Sequence, residues 1–236
     1  MHRFVLTIPA IMLAGCGIAE SSPSPSGTRL FDLAGFDQVE LAGADDIRVV
    51  AGPAFSVTAS GAEKSLEQLK IEVRGSTLKV GRKSRGWSLG WSDDRGVVVT
   101  VTMPVIKAAS LAGSGDFSID EVDTPAFTAS IAGSGNMVIK SAKVEKFSID
   151  VAGSGDVSVA GSGKMIDISV AGSGNVTADK MAAEQAKIAI AGSGDVAARA
   201  SLSASVDMVG SGDVNISGTT NCTTSKIGSG DVRCGP

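Results

Sequence analysis

The sequence has few of the side chains on which most enzyme mechanisms depend. His2 is its single histidine, tyrosine is absent, and there are seven phenylalanines and two tryptophans. Because His2 lies in a segment that we expect to be removed, no imidazole remains for Ser-His, Cys-His or His-metal chemistry. The net charge of −4 and the pI of about 5.1 provide no basic field to attract nucleic acid. We therefore expect a protein that is not an enzyme and does not bind nucleic acid.

The N-terminus lacks an apolar run long enough to cross a bilayer as a helix, which takes roughly 20 residues. Its apolar run spans residues 4–13, follows Arg3, and leads into Leu13-Ala14-Gly15-Cys16. This arrangement is typical of a secretory signal, and the last four residues resemble the lipobox of bacterial lipoproteins. Residues 1–15 are therefore predicted to be a signal peptide and Cys16 the lipidated first residue of the mature protein. Gly17 is not Asp, which by resemblance to lipoprotein sorting implies the outer membrane.

Residues 16–30 contain a run of serine and proline that cannot bury a core. We expect this segment to be a flexible tether between the lipid anchor in the membrane and a folded domain.

Glycine, in contrast, is abundant, and much of it belongs to an internal repeat. Gly-Ser-Gly followed by Asp or Asn recurs every 18–20 residues. The first glycines of the seven copies are Gly113, Gly133, Gly153, Gly172, Gly192, Gly210 and Gly228. Both glycines of each copy are predicted to supply the positive φ angles of a tight corner. An additional Gly161-Ser162-Gly163 falls off the period and predicts a different corner.

Apolar residues alternate with polar ones on both sides of every corner, which is the period of β-strands. Six positions before the first glycine, for example, the copies share an inward-facing position. Its residues are Phe127, Phe147, Ile166, Ala186, Ala204 and Cys222. Since one such unit cannot bury its apolar face alone, the repeat predicts an all-β fold over residues 108–236, a right-handed parallel β-solenoid with 18–20-residue coils. A stack of antiparallel hairpins is the alternative.

Two cysteines remain besides Cys16. Cys222 and Cys234 lie six residues before and six residues after Gly228, both at inward positions. Residues equidistant from a corner should face each other across the core, so in an oxidising compartment a disulfide is predicted to close the last coil.

Residues 31–107 contain short alternating runs and no clear repeat, and we expect them to form irregular first coils that cap the solenoid. A short helix is predicted at residues 63–68. A loop over residues 82–95 holds both tryptophans beside several basic residues. Trp87, Trp91 and Arg85 are therefore candidate ligand-binding residues, which would stack on a glycan or a protein partner. The alternative is that the tryptophans plug the end of the solenoid.

The last residue of each corner motif forms a row of Asp and Asn. The structural interpretation is that these side chains bond backbone amides of their own turn. A weaker hypothesis places Ca²⁺ over the three successive acids Asp195, Asp213 and Asp231. No other cofactor is expected.

The Val-rich strand ending in Met103-Pro104, followed by serial motifs such as Ala112-Gly113-Ser114-Gly115-Asp116, resembles the bacterial head GIN domain proteins. The resemblance covers roughly residues 33–233. It implies a β-helical adhesin-like domain, often carried by lipoproteins, with no known reaction and no catalytic residues to transfer.

These observations together predict a lipid-anchored envelope protein that acts as an adhesion or interaction module for a glycan, an envelope polymer or a protein. Two alternatives remain open. One is a purely structural solenoid whose copies stack, and the other is a polysaccharide-active β-helix enzyme.

Overall fold

The computed structural model describes residues 26–83 and 96–236. The predicted signal peptide, Cys16 and the candidate residues Arg85, Trp87 and Trp91 lie outside the described residues. Up to residue 83 the elements are β1 (Ser26–Phe31), β2 (Gln38–Gly43), β3 (Asp46–Ala51), β4 (Ser56–Ala62), α1 (Glu63–Gln68), β5 (Leu69–Arg74) and β6 (Thr77–Arg82). From residue 96 they are β7 (Val98–Met103), β8 (Ala108–Gly113), β9 (Phe117–Ile119), β10 (Val122–Asp123), β11 (Ala126–Gly133), β12 (Met137–Gly153), β13 (Val157–Gly172), β14 (Val176–Gly192), β15 (Val196–Gly210), β16 (Val214–Ser217), β17 (Cys222–Gly228) and β18 (Val232–Gly235).

Successive repeats stack as parallel strands in register. In the pairing of β11 with β12, Phe127 lies beside Phe147 and Gly133 lies beside Gly153. The same register continues through β13, β14, β15 and β17. The predicted parallel β-solenoid is therefore confirmed, and the antiparallel-hairpin alternative is wrong for the repeat region.

Equal inward positions of successive coils form continuous rows in the core. Phe127 and Phe147 are buried, and their ring centroids lie 5.3 Å apart. Ile166, Ala186 and Ala204 continue the same buried row. Burying one large apolar side chain contributes about 1.5–3 kcal/mol, and a coil gains this only when its neighbours cover it. Stacking is therefore the source of most of the stability.

Each coil has three bends. A bend is recognised where two consecutive residues are exposed and the alternation of buried and exposed residues restarts. In the coil of β12 these bends are Lys140-Ser141 and Glu145-Lys146, and the third bend is the glycine corner. Gly161, with φ of 140°, lies beside Ala142 and Met181 of the neighbouring coils. Gly161-Ser162-Gly163 as a whole pairs with residues 142–144, which lie between two bends, so the prediction that it forms a separate corner was wrong.

Only the first of the two glycines in the corner motif has a positive φ, so the prediction of positive φ at both was wrong for the second. Gly153 has a φ of 130°, which favours glycine. Gly155 does not have a positive φ, but a Cβ on it would lie 2.2 Å from the carbonyl oxygen of Gly135 in the preceding coil. The close approach of adjacent coils thus requires glycine at both positions, since a Cβ on Gly153 would likewise overlap the carbonyl oxygen of Gly133.

The N-terminal strands occupy the end of the solenoid in an order that differs from their order in the chain. β2 and β3 pair on one side with β8 and β9, and on the other side with β6 and β7, all in parallel. Beyond this outermost coil, β5 pairs antiparallel with β6, and β4 pairs antiparallel with β7. Helix α1 connects β4 to β5 at the residues predicted for it.

Strand β1 pairs antiparallel with β4. Residues 26–30, which the sequence analysis assigned to the tether, therefore belong to this strand and to the folded domain.

The last coil replaces apolar core residues by polar ones. Thr224 lies beside Val206, and Lys226 lies beside Met208. The Lys226 ammonium donates a hydrogen bond to the carbonyl oxygen of Gly230 at 2.6 Å. A polar inward side chain gives a following coil nothing apolar to cover, so the core ends here.

Candidate functional site

An open groove of about 690 Å³ runs along one side of the solenoid, across successive coils. Its lining comes from the last three residues before each glycine corner. Alternation turns the first and third of these residues outward, so two outward rows form the surface of the groove.

The row next to the corner consists of small side chains. Its groove residues are Ala112, Ala132, Ala152, Ala171, Ala191 and Val209. The second row is Ser110, Ser130, Asp150, Ser169, Ala189 and Asp207. These residues lie beside one another in register from coil to coil. Since alanine and serine stand only one or two atoms above the sheet, the groove has a shallow and largely apolar floor.

The floor offers a ligand few hydrogen bonds. Backbone groups of the strands are used in the ladders that join the coils. The polar groups that remain are serine hydroxyls and the carboxylates of Asp150 and Asp207. Both charged residues that line the groove are therefore acidic, and no aromatic ring is present there to stack on a sugar.

The Asp/Asn row at the corner forms a ladder of hydrogen bonds between coils. The Oδ1 atom of Asp156 accepts a hydrogen bond from the amide of Asn175 at 2.8 Å, and Asn175 accepts one from the amide of Asp195 at 3.0 Å. The pattern begins at Asp46, which accepts from Asp116, and ends where Asp213 accepts from Asp231 at 2.8 Å. The prediction that these side chains bond their own turn was wrong, because the side chains from Asp116 to Asp213 each accept from the next coil.

The same ladder involves the acids that were considered for Ca²⁺. Asp195 and Asp213 each accept the amide of the following coil. Among the residues that the structure describes, no group of three or more His, Cys, Asp or Glu side chains is placed to hold a metal ion. The sequence hypothesis of Ca²⁺ at Asp195, Asp213 and Asp231 thus has a structural alternative, in which the carboxylates hold adjacent coils together.

Cys222 and Cys234 are joined by a disulfide, with Cα atoms 6.6 Å apart. Both cysteines pack partly buried against the end of the core, beside Ala204 and Ile216. The bond closes the last coil, as the equal distance of the two cysteines from Gly228 predicts.

A buried carboxylate joins the two chain segments that flank residues 84–95. Asp45, fully buried, accepts a hydrogen bond from Arg82 Nε at 2.8 Å and another from the amide of Val97 at 2.9 Å. Arg82 ends β6, and Val97 precedes β7. In the chain, Asp45 takes the place that the second glycine has in later corners, two residues after Gly43.

Lysines link carboxylates of neighbouring coils on the outside of the solenoid. A hydrogen bond from Lys164 lowers the pKa of Glu145, and the same bond raises the pKa of Lys164. A hydrogen bond from Lys107 lowers the pKa of Asp37, with their charges adding to the effect. Each of these pairs joins two coils at the surface, so these shifts reflect coil stacking rather than a catalytic site.

Sequence reasoning missed the groove. An alanine precedes five of the seven glycine corners, as in the motif Ala112-Gly113-Ser114-Gly115-Asp116. A run of alanines at one outward position of the first five aligned repeats is the signal that could have revealed it.

Comparison with known proteins supports the fold. A family model described as "Putative auto-transporter adhesin, head GIN domain" matches residues 35–220. No curated protein sequence matches the chain. Within residues 26–83 and 96–236 there is no helix with the length and apolar character needed to cross a bilayer.

Three crystal structures have the same fold. A "putative adhesin" from Bacteroides fragilis is 21% identical with a TM-score of 0.81, covering 91% of this chain and 98% of its own. A "putative lipid binding protein" from Parabacteroides distasonis is 23% identical with a TM-score of 0.69, and the match covers 89% of this chain and 96% of the other. A "putative adhesin" from Parabacteroides merdae is 19% identical with a TM-score of 0.68, and the match covers 89% of this chain and 96% of the other.

Proposed function

The chain belongs to the head GIN domain family, and from this premise we propose that it is a non-enzymatic adhesion or interaction module of the bacterial cell envelope. The observation that carries the proposal is the open groove of about 690 Å³ along the solenoid. A row of stacked coils provides a rigid and elongated binding surface of the kind that repeat proteins use for recognition.

The chemistry of the groove favours binding over catalysis. Its two carboxylates, Asp150 and Asp207, are separated by three coil spacings, or about 14 Å. Paired carboxylates that cleave a glycosidic bond lie about 5–10 Å apart. Asp150 and Asp207 are too far apart to act on one bond, which weighs against the alternative of a polysaccharide-active enzyme.

We further propose that the protein is exported and held at the membrane through lipid on Cys16. The supporting observations are the signal-like residues 1–15, the Cys16 motif and the serine- and proline-rich residues that follow. Cells fed a labelled fatty acid should incorporate label into the wild-type protein but not into Cys16→Ser. Equal labelling of both proteins would refute lipidation at Cys16.

The binding function is tested with the chain from residue 17 onward, which contains every residue of the described fold. This form is applied to a glycan array and to purified envelope polymers. Ala171→Trp fills the groove, whereas Ser158→Trp adds the same bulk at an exposed position after the corner. We expect bound ligands to be lost with Ala171→Trp and kept with Ser158→Trp. Equal binding by both variants would exclude the groove as the site.

A further inference from the structure

The carboxylates of the groove indicate what kind of ligand it selects. Asp150 and Asp207 are exposed in the same outward row, with Ser169 and Ala189 between them. Within the described chain, neither carboxylate forms an ion pair with a lysine or arginine, whereas the carboxylates of Asp120 and Glu145 do. The groove thus presents two free negative charges above an apolar floor.

These charges select against several possible occupants. An anionic headgroup or acidic polymer would be repelled by Asp150 and Asp207, and so would the same face of a second copy of the chain. A neutral glycan would find no aromatic ring and only scattered serine hydroxyls. A chain that carries cations along one side and small apolar groups on the other matches both the charges and the floor.

The spacing of the carboxylates sets the spacing of those cations. Adjacent coils lie about 4.8 Å apart, so three coil steps separate Asp150 from Asp207 by about 14 Å. An extended polypeptide rises about 3.4 Å per residue, and four residues therefore span about 14 Å. Residues four apart in an extended chain also point to the same side.

We infer that the groove binds an extended basic segment of a partner protein, in which two lysine or arginine residues four positions apart pair with Asp150 and Asp207. This inference rests on the proposed interaction function and specifies its partner. Between the two cations, small side chains of the segment lie on Ala171 and Ala191 of the floor. At its C-terminal end the groove is limited by the larger exposed side chains of Val209 and Ile227.

The probe is a fluorescein-labelled nine-residue peptide of alanine, serine and glycine with lysines at its third and seventh positions. Binding to the chain from residue 17 onward is followed by fluorescence anisotropy at low ionic strength. We expect saturable binding that weakens as salt is added. A peptide with lysines three apart should bind severalfold more weakly, and a peptide with glutamates at the third and seventh positions should not bind.

Variants of the protein distinguish binding at Asp150 and Asp207 from attraction to the overall negative charge of the protein. Asp150→Asn combined with Asp207→Asn should weaken binding about tenfold, since two surface ion pairs are lost. Asp179→Asn combined with Glu184→Gln removes the same charge at exposed positions outside the groove, and binding should not change. Unchanged melting temperatures of both double variants show that each remains folded.

Failure of the lysine peptide to bind overturns the inference, as does an equal loss of binding in both double variants. Equal affinity for lysines three and four residues apart overturns the proposed register. A glycan or envelope polymer that binds in the groove, as judged by Ala171→Trp, would leave the interaction function standing and refute the basic segment. If neither peptide nor polymer binds, both proposals fail.

Discussion

Asp45 holds Arg82 and the amide of Val97 together in the interior of the N-terminal end. Its carboxylate is fully buried, and Nε and Nη2 of the guanidinium both donate hydrogen bonds to it. One carboxylate therefore joins the end of β6 to the residue that precedes β7. It also fills the corner position that glycine occupies in later coils.

Replacing this carboxylate should destabilise the protein strongly. Asp45→Ala removes the hydrogen bonds from Arg82 and leaves the buried amide of Val97 without this acceptor, so we expect a loss of about 3 kcal/mol in the free energy of unfolding. Chemical denaturation measures it. Asp120→Ala, which removes the surface pair with Lys140, should cost no more than about 1 kcal/mol. Similar losses in the two variants would contradict the role assigned to Asp45.

The second glycine of a corner should tolerate no side chain. In Gly155→Ala the new Cβ would overlap the carbonyl oxygen of Gly135, and we expect a loss of about 2 kcal/mol as the coils move apart. Ser154→Ala, at the exposed residue between the two glycines, should change stability by less than about 0.5 kcal/mol. Thermal denaturation of the two variants is the test, and a stable Gly155→Ala protein would refute the close contact.

The corner ladder predicts opposite results for two substitutions of Asp213. Asp213→Asn keeps an Oδ1 acceptor for the amide of Asp231 and removes one of three successive negative charges, so stability should hold or rise. Asp213→Ala removes the acceptor and should cost about 1 kcal/mol.

If Asp195, Asp213 and Asp231 serve to join adjacent coils by hydrogen bonds, the melting temperature should be the same in millimolar Ca²⁺ and in chelator. A rise in melting temperature with Ca²⁺ that is seen in the wild type and lost in Asp213→Asn would instead establish the cation site.

Reducing the disulfide should loosen the last coil. The chain from residue 17 onward should show no free thiol until it is reduced, and then two, from Cys222 and Cys234. The double variant Cys222→Ser and Cys234→Ser should lose about 2–3 kcal/mol, because a 12-residue loop is no longer closed. Hydrogen exchange should accelerate most in β17 and β18. Two reactive thiols before reduction would disprove the bond.

The pair of Asp37 and Lys107 should make stability depend on pH in the acid range. The hydrogen bond from Lys107 holds the pKa of Asp37 below its ordinary value of 3.8. The resulting stability is fully present above the pKa of the unfolded chain, and it is lost as pH falls through the lower pKa of the folded chain. Since water screens this pair, the amplitude should not exceed about 1 kcal/mol.

Urea denaturation at several pH values compares the wild type with Lys107→Met. The difference between their free energies of unfolding should be constant at neutral pH and shrink on acidification. Lys180→Met, at an exposed lysine without an ion pair in the described chain, should give curves parallel to the wild type. A difference that grows on acidification has the wrong sign for this mechanism.

Much of the repeat region could be predicted from the sequence because its pattern recurs. Alternation identified the inward row of Phe127 and Phe147, and the equal offsets of Cys222 and Cys234 from Gly228 predicted their disulfide. The groove was harder to see, because an outward alanine is unremarkable in one strand. It becomes a surface only when Ala152, Ala171 and Ala191 are aligned in space.

The sequence by itself determined which side of each strand faces the core, since residues such as Ile149 and Ile168 stand at equal apolar positions of successive repeats. The choice between parallel coils and antiparallel hairpins was decided by the structure, because alternation does not show the direction of the neighbouring strand. Only the tertiary structure decided that β6 and β7 lie outside β2 and β3. Alternation along a strand shows which side faces the core, but it does not show which strand is the neighbour. Likewise, that Asp213 bonds the next coil rather than its own turn depends on the spacing between coils, which only the assembled solenoid fixes.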